Sequence, residues 1–266
     1  MDRLLLVFST FCFLLGFAYT MHALGARVYR RSAFNFYAIL SGFAFQTAFL
    51  YQRGQQLGRC PLTNLFEVLI FLSWSMVLLY LLTGTAYRLS LLGAFTSPLV
   101  FIFQSAALLI PGLDSVSHSK LPHNAWLELH AALSVIAYGS FALAGVAGVM
   151  YLAQERQLKT HHIHSIFYHL PPIRDLGVAN QRLVLAGFGL LSLGLLAGFA
   201  IGDVGAHWLK IIWSLGVWLL YGLILLAVFF RKVSGRRVAW LSVGALSIVL
   251  CTLWWLHYIP ATTAVY

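Results

Sequence analysis

The sequence predicts an all-α integral membrane protein: one polytopic domain over residues 1–266, with about eight transmembrane helices and both termini outside, on the periplasmic side. Three observations carry this reading. Of 266 residues, 61% are hydrophobic and 9% are charged, against about 25% charged in an ordinary soluble domain; mean hydropathy is +0.85. The apolar residues form continuous runs of spanning length, not the alternating ~10-residue strands of a transmembrane barrel. The basic residues stand at the ends of those runs, mostly on one side. So few charges cannot cover a water-facing surface, which excludes a cytosolic enzyme, a secreted disulfide domain and a disordered regulator.

The spans follow in order at about 4–25, 33–51, 65–83, 88–110, 125–153, 181–201, 209–230 and 238–257. The first is expected to be a retained helix: its leading Met1-Asp2-Arg3 is formally neutral, and Arg27, Arg30 and Arg31 follow it. Arg53 follows the second, Asn64 and Glu67 open the third, and Arg88 stands at the start of the fourth. The fifth is the longest and is expected to tilt or to project beyond the hydrocarbon. Asp203 follows the sixth, Arg231-Lys232 the seventh, and Arg236-Arg237 precede the eighth. The longest connection, about 154–180, is too short to fold alone.

With the N-terminus outside, twelve of the 17 Lys and Arg residues fall on inner loops (Arg27, Arg30, Arg31, Arg88, Arg156, Lys159, Arg174, Arg182, Arg231, Lys232, Arg236, Arg237). Five fall outside: Arg3, Arg53, Arg59, Lys120 and Lys210. Five of the seven acids, Asp2, Glu67, Asp114, Glu128 and Asp203, lie at the outer face. The net charge of +10 is therefore a membrane-orientation signal, not a nucleic-acid footprint. The three cysteines, Cys12, Cys60 and Cys251, form no CxxC pair.

On this topology His130, early in span five, and His257, at the end of span eight, share the outer face at similar depth. Two such histidines on different helices can give two nitrogens to one heme iron; the alternative is a pair of interfacial histidines bonded to headgroups or a loop. Trp126, Trp208, Trp213, Trp254 and Trp255 also fall near the outer face and Trp240 near the inner, an asymmetry that would suit a flat apolar ligand or arise from an uneven aromatic belt. Glu67 is an acid inside a span, either paired with Arg59 or bonded to another helix, or else snorkelling to the interface. The inner loop carries His161, His162, His164 and His169, whose spacing fits weak metal or heme binding or a solvated loop. Gly187-Phe-Gly189 and Gly194-Leu-Leu-Ala-Gly198 in span six are close-packing positions for helices, not a nucleotide loop.

Several segments resemble one family. Pro61-Leu-Thr-Asn64-Leu-Phe-Glu67-Val-Leu-Ile-Phe-Leu-Ser73-Trp74-Ser75 is similar to the third-span signature of the CcsA/ResC-type cytochrome c assembly proteins. Leu129-His130 through Tyr138 resembles that family's first outer heme histidine and its helix, and His257 matches the second in position. Lys210-Ile-Ile-Trp213-Ser-Leu-Gly-Val-Trp218 resembles its Lys-x-x-Trp-x-x-x-x-Trp helix. The tryptophan-rich outer motif is degenerate here, Gly205-Ala-His207-Trp208-Leu209, and Leu226 stands where the synthases carry a membrane-buried histidine. The histidine-rich loop and Leu170-Pro171-Pro172 are closer to the HemX-like branch.

The resemblance implies a bacterial inner-membrane, multi-pass protein that holds or delivers heme during cytochrome c maturation, rather than an autonomous synthase. It implies His130 and His257 as axial ligands of the heme iron, Trp126, Trp208, Trp254 and Trp255 as pocket walls, and Glu67 as a polar structural partner. The implied partners are the lipid bilayer, heme, and an apocytochrome c or other maturation subunits, with no nucleic acid. Two other readings stand beside it: a HemX-like regulator of heme synthesis with no catalysis of its own, and a small-molecule transporter, which calls for inverted repeats or broken helices that the sequence does not display. Topology mapping is expected to find residue 130 on the outer side; residue 130 on the cytoplasmic side would overturn the assignment.

Overall fold

The computed structural model describes residues 2–25, 33–87, 90–114, 124–160, 172–201, 208–230 and 234–258. Among these it forms eight α-helices: α1 (Asp2–Gly25), α2 (Ala33–Leu57), α3 (Leu65–Tyr87), α4 (Ser90–Leu109), α5 (Ala125–Thr160), α6 (Ile173–Phe199), α7 (Trp208–Phe229) and α8 (Gly235–Tyr258). Each expected span falls on one helix. Among the described residues, five helices, α1, α3, α5, α6 and α7, are long and apolar enough to cross a membrane by length and composition. A shorter apolar stretch, Phe95–Leu109, lies in the described part of α4.

A protein in lipid must satisfy its backbone internally, which these helices do. It also has no hydrophobic drive pulling helix to helix, so contact depends on close van der Waals fit. The sequence meets that need most fully in α5. Residues 137–145, Ala-Tyr-Gly-Ser-Phe-Ala-Leu-Ala-Gly, are buried without a break, so this helix is enclosed on every side. Gly139 lies against Ser75 of α3, Gly145 against Leu246 of α8, and Gly148 against the Ala239 carbonyl and Val243 of α8. Phe141 reaches outward between Gly187 of α6 and Tyr221 of α7, stacking on the tyrosine with ring centroids 3.5 Å apart. The glycines expected to allow close packing in α6 do so at Gly187, Gly194 and Gly198, while Gly189 faces open space.

Polar side chains fasten the rest. Asn180 of α6 donates from Nδ2 to the Ala144 carbonyl of α5 (2.6 Å) and accepts at Oδ1 from Ser242 Oγ of α8 (3.1 Å). Ser140 Oγ of α5 donates to the Leu183 carbonyl of α6 (2.7 Å). In the first half, Ser9 of α1 donates to the Gly42 carbonyl of α2 (2.8 Å), and Thr10 of α1 to Gln104 of α4 (2.9 Å). Gln46 of α2 donates to the Ile70 carbonyl (2.8 Å) and Ser73 Oγ (2.6 Å) of α3. Pro98 interrupts α4, and the hydroxyls of Thr96 and Ser97 donate to the carbonyls of Leu92 and Gly93 in the turn before it.

The outward faces are apolar. Leu185, Leu193 and Leu196 of α6 and Ile212, Leu219, Leu223 and Leu226 of α7 are all exposed, at helical spacing, and this is a surface for acyl chains rather than water. At 36 residues α5 is about 54 Å long, well beyond the ~30 Å hydrocarbon layer. Its surplus carries Glu155, which pairs with Lys159 (2.7 Å) and with Arg236 at the start of α8 (3.5 Å).

Asn180→Ala removes two bonds that join three helices and is expected to cost about 1–2 kcal/mol. The check is the thermal midpoint in detergent, read by tryptophan fluorescence. Ser247→Ala, which loses only an exposed bond within its own helix, is expected to leave the midpoint unchanged.

Candidate functional site

The ends of α1, α2, α3, α4 and α5 that carry Arg3, Arg53, Glu67, Asp114 and Glu128 meet at one end of the bundle, the outer end by the charge count. Glu67 is wholly buried there. Its cation is Arg53, not Arg59 as the sequence spacing suggested: α2 runs past its apolar stretch to Leu57, which puts Arg53 on the helix, whereas Arg59 follows the left-handed turn at Gly58 (φ +61°). Arg53 Nε meets Glu67 Oε1 at 3.0 Å, and its Nη2 meets Asp114 Oδ1 at 2.5 Å. Arg3 joins the same aspartate at 2.9 Å.

Glu67 also accepts from the Thr63 N–H (2.8 Å) and hydroxyl (2.7 Å), and its own N–H donates to Asn64 Oδ1 (2.9 Å). Asn64 thus caps α3, with Glu67 in the third helical position as in a capping box. The sequence places Arg53 and Asp114 at the outer face and Asn64 at the start of the third span, but not their pairing with Glu67. The available signal for the pairing was one base, Arg53, beside two acids, Glu67 and Asp114, at run ends on the same side. Glu67 ties helix ends together.

The loop between α2 and α3 is anchored to α5 by the Cys60 N–H, which donates to Glu128 Oε2 (3.2 Å). Burial, with the carboxylates of Glu128 and then Glu67 beside it, pushes the Cys60 thiol up to about 11. It is therefore a neutral thiol at physiological pH and no nucleophile.

His130 stands half-buried two residues after Glu128, on nearly the opposite face of α5. Its ring lies on α6: Nδ1 is 2.7 Å from the Gly194 carbonyl oxygen, and a β-carbon at Gly198 would come within 2.8 Å of the same nitrogen. A carbonyl oxygen can only accept, so Nδ1 carries the hydrogen in the neutral ring and the lone pair is on Nε2. A metal-bound imidazole is commonly held this way, with one nitrogen on a carbonyl and the other on the metal. The donor set at His130 therefore fits a heme iron. Trp126, four residues earlier, is 52% exposed, so it stands at the edge of the bundle rather than walled in by it.

Helices α5 and α8 run antiparallel, registered by Gly145 against Leu246 and Gly148 against Val243. Continued along both helices, that register sets position 257 level with Ser134, one turn from His130. The backbones of Trp208, Trp254, Trp255 and His257 belong to α7 and α8; their side chains lie outside the described residues, as do Asp203, His207 and the whole 161–169 histidine cluster. Trp213 and Trp218 pack at the rim of the main core, and Trp218 Nε1 donates to Ser192 Oγ (2.8 Å).

Comparison with known proteins bears on this arrangement. The profile of the family described as Cytochrome C assembly protein matches residues 62–259, from the loop before α3 to just past the end of α8. Protein HemX of Brevibacillus brevis is 28% identical over 178 residues, 67% of this chain and 65% of that protein. Cytochrome c biogenesis protein CcsA of Chlamydomonas reinhardtii is 27% identical over 223 residues, 76% of this chain and 59% of that protein. CcsA of Synechococcus sp. (strain CC9902) is 28% identical over 244 residues, 77% of each chain. This chain thus spans less than two thirds of the length of the first two.

Two outcomes follow from the geometry. Glu67→Ala leaves Arg53 with one carboxylate in a buried setting and is expected to cost about 3 kcal/mol, measured as loss of thermal stability in detergent. At pH 8 only about a thousandth of Cys60 is thiolate, so maleimide labelling of the folded protein is expected to be slow and to accelerate on denaturation.

Proposed function

The chain belongs to the cytochrome c assembly protein family, a multi-pass membrane protein of that kind, and from this premise we propose that it holds or delivers heme at the outer membrane face during cytochrome c maturation. In this reading all eight helices span the inner membrane of a bacterial cell, residues 1–266 act as one membrane unit, and both termini face the periplasm. The positive-inside count and the gathering of acids at the opposite end of the bundle support that orientation.

The observation that carries the reading is the ring of His130, held through Nδ1 by a main-chain carbonyl with Nε2 left as the donor. Heme is the cargo, and its iron takes two axial nitrogens. His130 supplies one and His257, in the last turn of α8, the other. Trp126, Trp208, Trp254 and Trp255 give apolar area for the macrocycle, since burial rather than ligation accounts for most of the affinity of such ligands. Glu67 keeps the ends of α2 and α3 together through Arg53 and takes no part in the chemistry. The recipient is an apocytochrome c, or another maturation subunit that passes the heme on.

The test is an absorption spectrum of the protein purified from heme-replete cells, beside His130→Ala and His257→Ala. A heme spectrum in the wild type, lost or converted to a five-coordinate form in either variant, is the expected result. Heme-free wild type would overturn the reading and favour a regulatory role without bound heme.

A further inference from the structure

We propose that Gly194 and Gly198 of α6 form a saddle that positions His130, selecting Nε2 as its ligating nitrogen and strengthening it as a donor. The inference rests on the reading of His130 as a heme ligand.

Three observations meet at this point. Gly194 offers its carbonyl to Nδ1 at 2.7 Å, although that oxygen sits inside a helix; a carbonyl has two lone pairs, so one serves the helix and the other the ring. Gly198, one turn on, presents bare backbone to the ring: an added β-carbon would stand 2.8 Å from Nδ1 and 3.2 Å from Cε1. A β-carbon at Gly194 would meet Ser134 Oγ at 3.0 Å, on the next turn of the same face of α5. Both glycines are therefore needed for α6 to come close enough for its carbonyl to reach the ring.

The consequence is chemical. With Nδ1–H committed to an acceptor, the ring has one tautomer and one orientation, and the hydrogen bond pushes electron density toward Nε2. A methyl group at position 198 displaces the ring more readily than the helix, because the ring is the free end of a side chain at the edge of the bundle. The fold survives and the orientation is lost. Gly189, on the same helix with nothing within 4 Å of its would-be β-carbon, is the matched control.

The experiment compares full-length wild type, Gly198→Ala, Gly189→Ala and His130→Ala. Expected are wild-type thermal midpoints for both glycine variants, a ~10–100-fold loss of heme affinity in Gly198→Ala alone, and an upward shift of the heme midpoint potential in that variant, because a weaker donor favours the reduced iron. Heme affinity and potential in Gly198→Ala equal to wild type would overturn the proposal. A second measurement needs neither a variant that folds nor bound heme: nitrogen NMR of histidine-labelled, heme-free wild type, with His130 assigned by its absence in His130→Ala. The Nδ1–H tautomer supports the saddle, and the Nε2–H tautomer overturns it. If His130→Ala holds heme as well as wild type does, the ligand reading falls instead, while the tautomer still decides whether α6 positions the ring.

Discussion

Close approach to α5 is the constraint on which this bundle depends. In lipid the acyl chains are as apolar as leucine, so a helix gains little by exchanging lipid for a loosely fitting neighbour. What it gains comes from many short contacts of about 0.1–0.2 kcal/mol each, and these require backbones to come near. The run of alanine, glycine and serine in α5 admits α3, α6 and α8 at once, and Phe141 carries the contact on to α7. Asn180 then converts three close helices into a fixed arrangement, because its amide meets α5 and α8 from α6.

The charged end of the bundle obeys a different rule. There the helices leave the hydrocarbon and charge becomes affordable, provided that it is paired. Arg53 lies between Glu67 and Asp114, and Arg3 closes the group from α1. Glu128 continues the chain of contacts by taking the Cys60 N–H, which fixes the first turn of α5. His130 follows two residues later. It is thus carried by a helix pinned on one side by the loop before α3 and fastened on the other to α6 through its own ring. The charges at this end set the platform, and the histidine uses it.

Much of this was legible in the residues. Each apolar run lies on one helix in the expected order, although α2, α5 and α6 extend beyond their runs. Gly194 and Gly198 read correctly as a place of close approach, although periodicity said nothing of the partner that fills it. For Glu67 the residues allowed Arg59, another helix or the interface, and the structure gives another helix, through Arg53 of α2. An apolar window ends α2 at about residue 51, whereas the helix continues to Leu57 because hydrogen bonding, not hydropathy, decides where a helix stops. That continuation moves Arg53 onto Glu67. The small-residue character of α5 was present in the sequence and went unread, since alanine and glycine contribute little to a hydropathy profile.

By itself the sequence determined the class, the order of the helices and the side on which the basic residues collect. These follow from composition and from one-dimensional spacing, to which a bilayer responds directly. The tertiary structure decided what faces what: that Arg53 answers Glu67, that Asn180 joins three helices, and that the Gly194 carbonyl meets Nδ1 of His130. No local pattern encodes such pairings. They depend on the register of helices far apart in the chain, and that register is set by where glycine lets two backbones meet.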